Sequence, residues 1–191
     1  MYKYPVIIFE GIEASGKSTN VKNVSNFLKK INRKFIILRE PGGTKNAELI
    51  RKLMLNKNST LNSKTDLLLL LAARSENVEK VITKNYKKKI ILIDRFTDST
   101  IAYQHFGMGL NLKLINIINS YIIKNFKPNL TFLSLVNKKN MEKRLNVRNN
   151  KNKYDNFSYK FYSKVQKGFL KISKNKKNYI ILDSNLNNEK K

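Results

Sequence analysis

The chain is 191 residues long, with no cysteine and a formal net charge of +26; that length allows one domain with a real core, while the lack of cysteine excludes a disulfide scaffold or a thiolate zinc site. The apolar run Leu67–Ala73 falls far short of a membrane span, and the N-terminus carries no signal-peptide zones, so a cytoplasmic protein without membrane contact is expected. The charge is mostly lysine, spread among many asparagines rather than gathered into a block with arginines and aromatics, which favours compositional bias over a nucleic-acid partner.

In chain order, Val6–Phe9, Phe35–Leu38, Ile90–Ile93, Leu130–Val136 and Tyr179–Leu182 read as short strands buried on both faces. Between them, amphipathic stretches predict helices over Lys17–Ile31, Thr44–Leu55, Thr65–Lys84, Ser99–Phe106, Leu112–Phe126, Lys139–Val147 and Phe157–Ser173. Strand–helix alternation of this kind implies an α/β fold, a five-stranded parallel sheet covered by helices on both faces. Asn149–Asn156 lacks any hydrophobic period and reads as a mobile segment, and the tail 184–191 is polar and short. The whole chain, 1–191, is expected to be one domain with no internal repeat.

The stretch Gly11-Ile12-Glu13-Ala14-Ser15-Gly16-Lys17-Ser18 meets every specified place of G-x-x-x-x-G-K-[ST], with a strand before it and a helix after it. Its glycines let backbone N–H groups turn on to phosphate, and the helix N-terminus adds partial positive charge. In such a loop the lysine, Lys17, reaches the β- and γ-phosphates, and the hydroxyl of Ser18 ligates Mg²⁺. Asp94, closing the strand Ile90–Ile93, puts a carboxylate at the carboxyl edge of the sheet, where ligands of such folds bind; it is either a helix cap or part of a magnesium site.

Lysine so outnumbers arginine that each arginine marks a place where a planar fork is hard to replace. Arg33 is set aside as chance. Arg95 follows Asp94 and suits bidentate contact with a second phosphate, or a salt bridge to a carboxylate such as Glu40. Leu70 and Arg74, four apart, share a helical face, as one side of a base pocket or as core beside a snorkelling arginine.

The phosphate loop with an internal acid, "REPGGT" (Arg39–Thr44), "AAR" and "DRFTDSTIAYQ" (Asp94–Gln104) together resemble the bacterial thymidylate kinases from about Tyr4 to Asp183. The resemblance implies a P-loop kinase fold with a lid segment at about 148–157, and phosphoryl transfer from ATP to dTMP with Mg²⁺. It assigns ATP to Gly11–Ser18 and Thr19, and the dTMP phosphate to Arg51 and Arg95. It assigns the thymine to Arg74, Thr100 and Gln104, the sugar to Tyr103, and the 3′-hydroxyl to Glu13; Glu40 falls near the acceptor. Lys17, Arg95, Glu13 and the lid's Arg148 and Lys153 are its expected catalytic groups, Ser18 and Asp94 its metal partners, and a homodimer its expected assembly, through Thr65–Ile82 and the helix around Ser99–Phe106. The sequence departs from that family in four places, the mildest being Phe96 for a common tyrosine. Leu70 replaces a phenylalanine that stacks on thymine, a loss of about 1 kcal/mol. Lys153 replaces a lid arginine, and the family's last helix is expected to be shortened or absent. Two other readings are a kinase of broader deoxynucleotide range and a basic ATP-dependent nucleic-acid binder.

Overall fold

The computed structural model describes residues 3–149, 151–174 and 176–185. Five strands, β1 (Val6–Gly11), β2 (Phe35–Arg39), β3 (Ile90–Asp94), β4 (Leu130–Leu135) and β5 (Tyr179–Asp183), form one parallel sheet in the order β2-β3-β1-β4-β5. The sheet is wrapped by α1 (Lys17–Lys30), α2 (Lys45–Leu55), α3 (Ser63–Asn77), α4 (Thr83–Asn85), α5 (Thr97–Thr100), α6 (Leu112–Ile123), α7 (Lys138–Asn146) and α8 (Tyr159–Ser173). Period-two alternation divides β3 between two cores. Ile91 and Ile93 pack with α3 and α6 residues such as Leu67, Leu71 and Ile115, while Ile90 and Leu92 pack with Val21 and Leu28 of α1. A third core joins Leu133 of β4 to Tyr162, Val165 and Phe169 of α8.

The asparagine-rich composition has a local use. Asn62, Asn111 and Asn137 cap α3, α6 and α7 by accepting the N–H of Thr65, Leu114 and Asn140, and Thr44 and Ser158 do the same for α2 and α8. Each such cap contributes about 1 kcal/mol by satisfying an orphan backbone donor.

Two expected helices differ in winding. The helix expected over Thr65–Lys84 is α for α3, widens to a π-helix over Val78–Ile82, and ends in α4. The one expected over Ser99–Phe106 begins as α5 and widens over Ile101–Gly107. Periodicity near 3.6 does not register such a widening, which adds a residue to the turn. The helix expected to reach Phe126 stops at Ile123, because Lys124 turns left-handed (φ 50°). Within the segment expected to be mobile, the described residues 151–156 include a regular turn. Lys153–Asn156 forms a 3₁₀ turn closed by a capping box between Asn152 and Asp155, with Tyr154 and Asp155 buried. Of the polar tail, 186–191 lie outside the described residues.

Candidate active site

β1 leads directly into the phosphate loop at the point where strand order reverses, with neighbours β3 and β4 on either side. Gly11 has φ 143°, and a Cβ there would sit 2.5 Å from the Ser134 carbonyl oxygen and 2.6 Å from Ser15 Oγ, so no other residue fits. Gly16, left-handed at φ 84°, turns the chain into α1. Together they leave residues Glu13–Thr19 lining a cleft of about 410 Å³, whose other walls are Arg39, Glu40, Arg51, Asp94, Arg95, Arg144 and Arg148. Gly11 and Ile12 stand behind this wall, and their carbonyls accept from Arg95 Nη1 and Lys17 Nζ at 2.8 and 2.7 Å. Burial, reinforced by Arg95, lowers the Lys17 ammonium to about 8. Ser18 Oγ lies 3.4 Å from Asp94 Oδ2, while Asp94 Oδ1 is buried without a partner. A hydroxyl beside an orphaned carboxylate oxygen fits a hard cation that keeps several waters; among the described residues no group of three or more His, Asp or Glu forms a metal cage.

A second cavity, of about 100 Å³, opens beside the first. Its apolar side is Met54, Leu55, Leu70, Phe96 and Tyr103; its polar side includes Arg74, Ser99, Thr100 and Gln104. Arg74 is buried and ordered by three partners: Nε to Glu40 Oε2 at 2.7 Å, Nη1 to Thr100 Oγ1 at 2.9 Å and Nη1 to Asn119 Oδ1 at 2.7 Å. Arg74 is therefore not the snorkelling arginine of the core reading: it is buried, and both it and Leu70 line the cavity. Tyr103 Oη and Gln104 Oε1 are buried with no partner, two polar atoms whose desolvation a ligand would offset. Both belong to the π-helical turn after α5.

Five residues, Glu13, Glu40, Arg51, Arg95 and Arg148, line both cavities. Arg95 is the hinge of this shared wall. Its partner is Glu13, not the Glu40 suggested from sequence: Nη2 lies 2.8 Å from Glu13 Oε1, with the guanidinium 5.0 Å over the Tyr103 ring. Burial raises the Glu13 carboxyl, but Arg95, Lys17 and Arg148 outweigh it and hold it below the usual range. Arg51 donates to the Pro41 carbonyl at 2.7 Å, and burial with Arg39 nearby lowers it to about 10. Arg144 donates to Ala14 O and Ser184 O at 3.0 and 2.6 Å. Arg148, 2.6 Å from Asp155, faces both cavities.

Lys153 does not join them. Its ammonium is 2.6 Å from Asp66 Oδ2 and 3.4 Å from the Leu61 carbonyl, in neither cavity wall. It is held instead by a carboxylate buried in the first turn of α3. Sequence reading also passed over Glu10, Ser99, Asn119 and Met54. Glu10 did leave a signal, being a carboxylate at the end of the otherwise apolar "VIIFE".

A phosphate loop at the switch point of a parallel sheet, a strand-end aspartate and an adjoining arginine-walled cavity define a P-loop kinase. The thymidylate kinase family model matches residues 9–191. The chain is 38% identical over 184 residues to a thymidylate kinase of Mycoplasma capricolum, covering 94% of this chain and 86% of that one. It is 40% identical over 170 residues to one of Wolbachia pipientis, covering 87% and 84%. The crystal structure of thymidylate kinase from Ehrlichia chaffeensis superposes with a TM-score of 0.76 at 34% identity, over 94% of this chain and 87% of that one. The chain belongs to the thymidylate kinase family.

Proposed function

We propose that the protein phosphorylates dTMP to dTDP with ATP and Mg²⁺. The observation that carries the reading is the shared wall of the two cavities, which lets a donor and an acceptor phosphate meet among Arg51, Arg95 and Arg148. ATP lies along Glu13–Thr19, with Lys17 turning from the Ile12 carbonyl to its phosphates. Ser18 and Asp94 would hold Mg²⁺, whose charge would offset that of the donor phosphates. The dTMP base enters the second cavity, where Gln104, Thr100 and Arg74 offer hydrogen bonds and Tyr103 crowds the sugar. Arg95 grips the acceptor phosphate and Glu13 takes the 3′-hydroxyl. Little covalent chemistry is asked of the protein, and its task is in-line placement and charge stabilisation. Since Lys153 is engaged by Asp66, the lid cation of this reading is Arg148.

Coupled measurement of ADP formation tests the reading. Activity is expected with dTMP and to fall with dUMP and dGMP; stimulation by DNA in place of dTMP would overturn it. Leu70, beside Met54 and Leu55, gives the base an aliphatic wall, which favours a wider range of 5-substituted pyrimidines as a second reading. Leu70→Phe is expected to lower the KM for dTMP about fivefold if stacking is what the wall lacks.

The same reading takes the protein to be a single-domain cytoplasmic homodimer. No described helix is long and apolar enough to cross a membrane. Leu49 and Leu53 of α2, Leu68 of α3, and Leu114, Ile117 and Tyr121 of α6 are exposed. Those helices are neighbours through α3, a face suited to a second copy of the chain. The expected contribution of Ser99–Phe106 has no such support, since Ser99, Thr100, Ala102, Tyr103 and Gln104 are buried.

A further inference from the structure

Glu10 has no place in the assignments above. It is the last side chain of β1 before the loop, with no solvent exposure. Its carboxylate accepts the backbone N–H of Phe96 at 2.9 Å and of Ser99 at 3.2 Å, and the Ser99 hydroxyl donates to its second oxygen. It thus satisfies orphan donors at the start of α5, as a cap does, but from a distant strand. The residue so bracketed is Arg95, which stands immediately before Phe96 in a left-handed conformation (φ 67°) costly for a side chain with a Cβ. Arg95 N donates to Phe9 O at 3.0 Å, and Nη1 reaches Gly11 O at 2.8 Å and Ser99 Oγ at 3.4 Å. Residues 9, 10 and 11 therefore each hold one side of the Arg95 turn, and Ser99 Oγ links the Glu10 carboxylate to the guanidinium.

We propose that Glu10 is a positioning residue for the acceptor phosphate, acting through the Phe96–Ser99 turn and the Ser99 hydroxyl to aim Arg95 across the wall between the two cavities. This rests on the dTMP kinase reading of the site. Geometry alone carries the role; the charge on Glu10 then makes the grip sensitive to pH. Burial first, and Asp98 next, push the carboxyl up to about 7, while Ser99, Phe96 N–H and Arg95 pull against them. Lys17 and Tyr179 are the other titratable groups that feel this charge. Ionised Glu10 draws the Ser99 proton and leaves Ser99 Oγ free to accept from Arg95. Neutral Glu10 donates to that oxygen and competes with the guanidinium.

The test compares wild type, Glu10→Ala, Glu10→Gln and Ser99→Ala in steady-state kinetics, with thymidine, which lacks the phosphate, as a competitive probe. Glu10→Ala is expected to raise the dTMP KM on the order of tenfold or more, as a displaced phosphate clamp would. The ATP KM and the thymidine inhibition constant are expected to stay within about twofold. Glu10→Gln keeps the acceptor for both N–H groups and is expected to restore most of the dTMP affinity. The ratio of its KM to that of wild type is expected to change between pH 6 and 8, a comparison that cancels the titration of the substrate's own phosphate. Should Glu10→Ala not fold, Glu10→Gln and Ser99→Ala decide, the latter with an expected several-fold rise in dTMP KM alone. Equal losses for dTMP, ATP and thymidine, or no loss, would overturn the inference while leaving the kinase reading intact. A wild type with no dTMP-dependent ADP formation would overturn both.

Discussion

At the scale of single residues, the loop acid Glu13 and Arg95 form a pair that can serve either substrate only by being half broken. The 2.8 Å contact uses one carboxylate oxygen and one guanidinium nitrogen, so each partner keeps hydrogen-bonding capacity for a ligand. Removing the acid frees Arg95 from its anchor and, on the proposed reading, takes away the acceptor for a 3′-hydroxyl as well. Glu13→Ala is therefore expected to lower kcat/KM for dTMP on the order of a hundredfold, with ATP affinity, measured by calorimetry, nearly unchanged. Glu10 makes a second prediction, on stability. Its folded pKa of about 7 lies above the ordinary 4.5, so the folded state binds the extra proton between those values. Stability from this group is complete below pH 4.5 and is lost as pH rises through 7, about 3 kcal/mol in all. Glu10→Gln abolishes that slope, and the difference in Tm between the two proteins, followed from pH 5 to pH 8, should widen in favour of the variant.

At the scale of elements, the lid turn is fastened from below. Lys153 reaches across to Asp66 on α3, Tyr154 Oη lies 3.5 Å from the same carboxylate, and the Tyr162 hydroxyl donates to the Tyr154 carbonyl. Asp66 is almost fully buried and its other oxygen has no partner. Lys153→Ala strands that charge and is expected to cost on the order of 3 kcal/mol, seen as a lower unfolding midpoint in urea. A matching loss of kcat with no change in midpoint would return Lys153 to the catalytic set. This turn shows where sequence reading stopped. "NNKNKYDN" has no hydrophobic period, and the turn Lys153–Asn156 within it is held by one tyrosine, one aspartate and a partner 87 residues away. Strand positions were legible from local apolar runs, but the caps were not read, and the edge strands β2 and β5 leave Ile37, Ile180 and Ile181 exposed rather than buried on both faces. The π-helical turns carrying Tyr103 and Gln104 were legible as helix but not as π, since the pattern of apolar positions survives one added residue. At the cavities, the phosphate loop could be read in full, whereas the partners of Arg74 and Arg95 are set by packing between distant strands and helices.

At the scale of the whole molecule, the net charge of +26 has a local counterpart in the cluster of Arg39, Arg51, Arg95, Arg144, Arg148 and Lys17 around one cleft. Such a field speeds capture of polyanionic nucleotides and weakens with salt. Assembly is tested by light scattering. The exposed α6 residues predict that Ile117→Asp shifts a dimer to monomer, since a charge placed in an apolar interface costs about 3 kcal/mol or more, while a monomeric wild type would remove the assignment.

Arg144 ties the first turn of the nucleotide cleft to the residue that follows the last strand, through the Ala14 and Ser184 carbonyls. Ala14 itself is left-handed, at φ 55°, a conformation that needs support from outside the loop. A ribosome-bound chain that has emerged only as far as α8 lacks one of those two supports. The loop thus depends, through Arg144, on a carbonyl supplied only after the fifth strand has been laid down, and a chain cut before Ser184 is expected to bind nucleotide more weakly than one carrying it, a difference calorimetry would read.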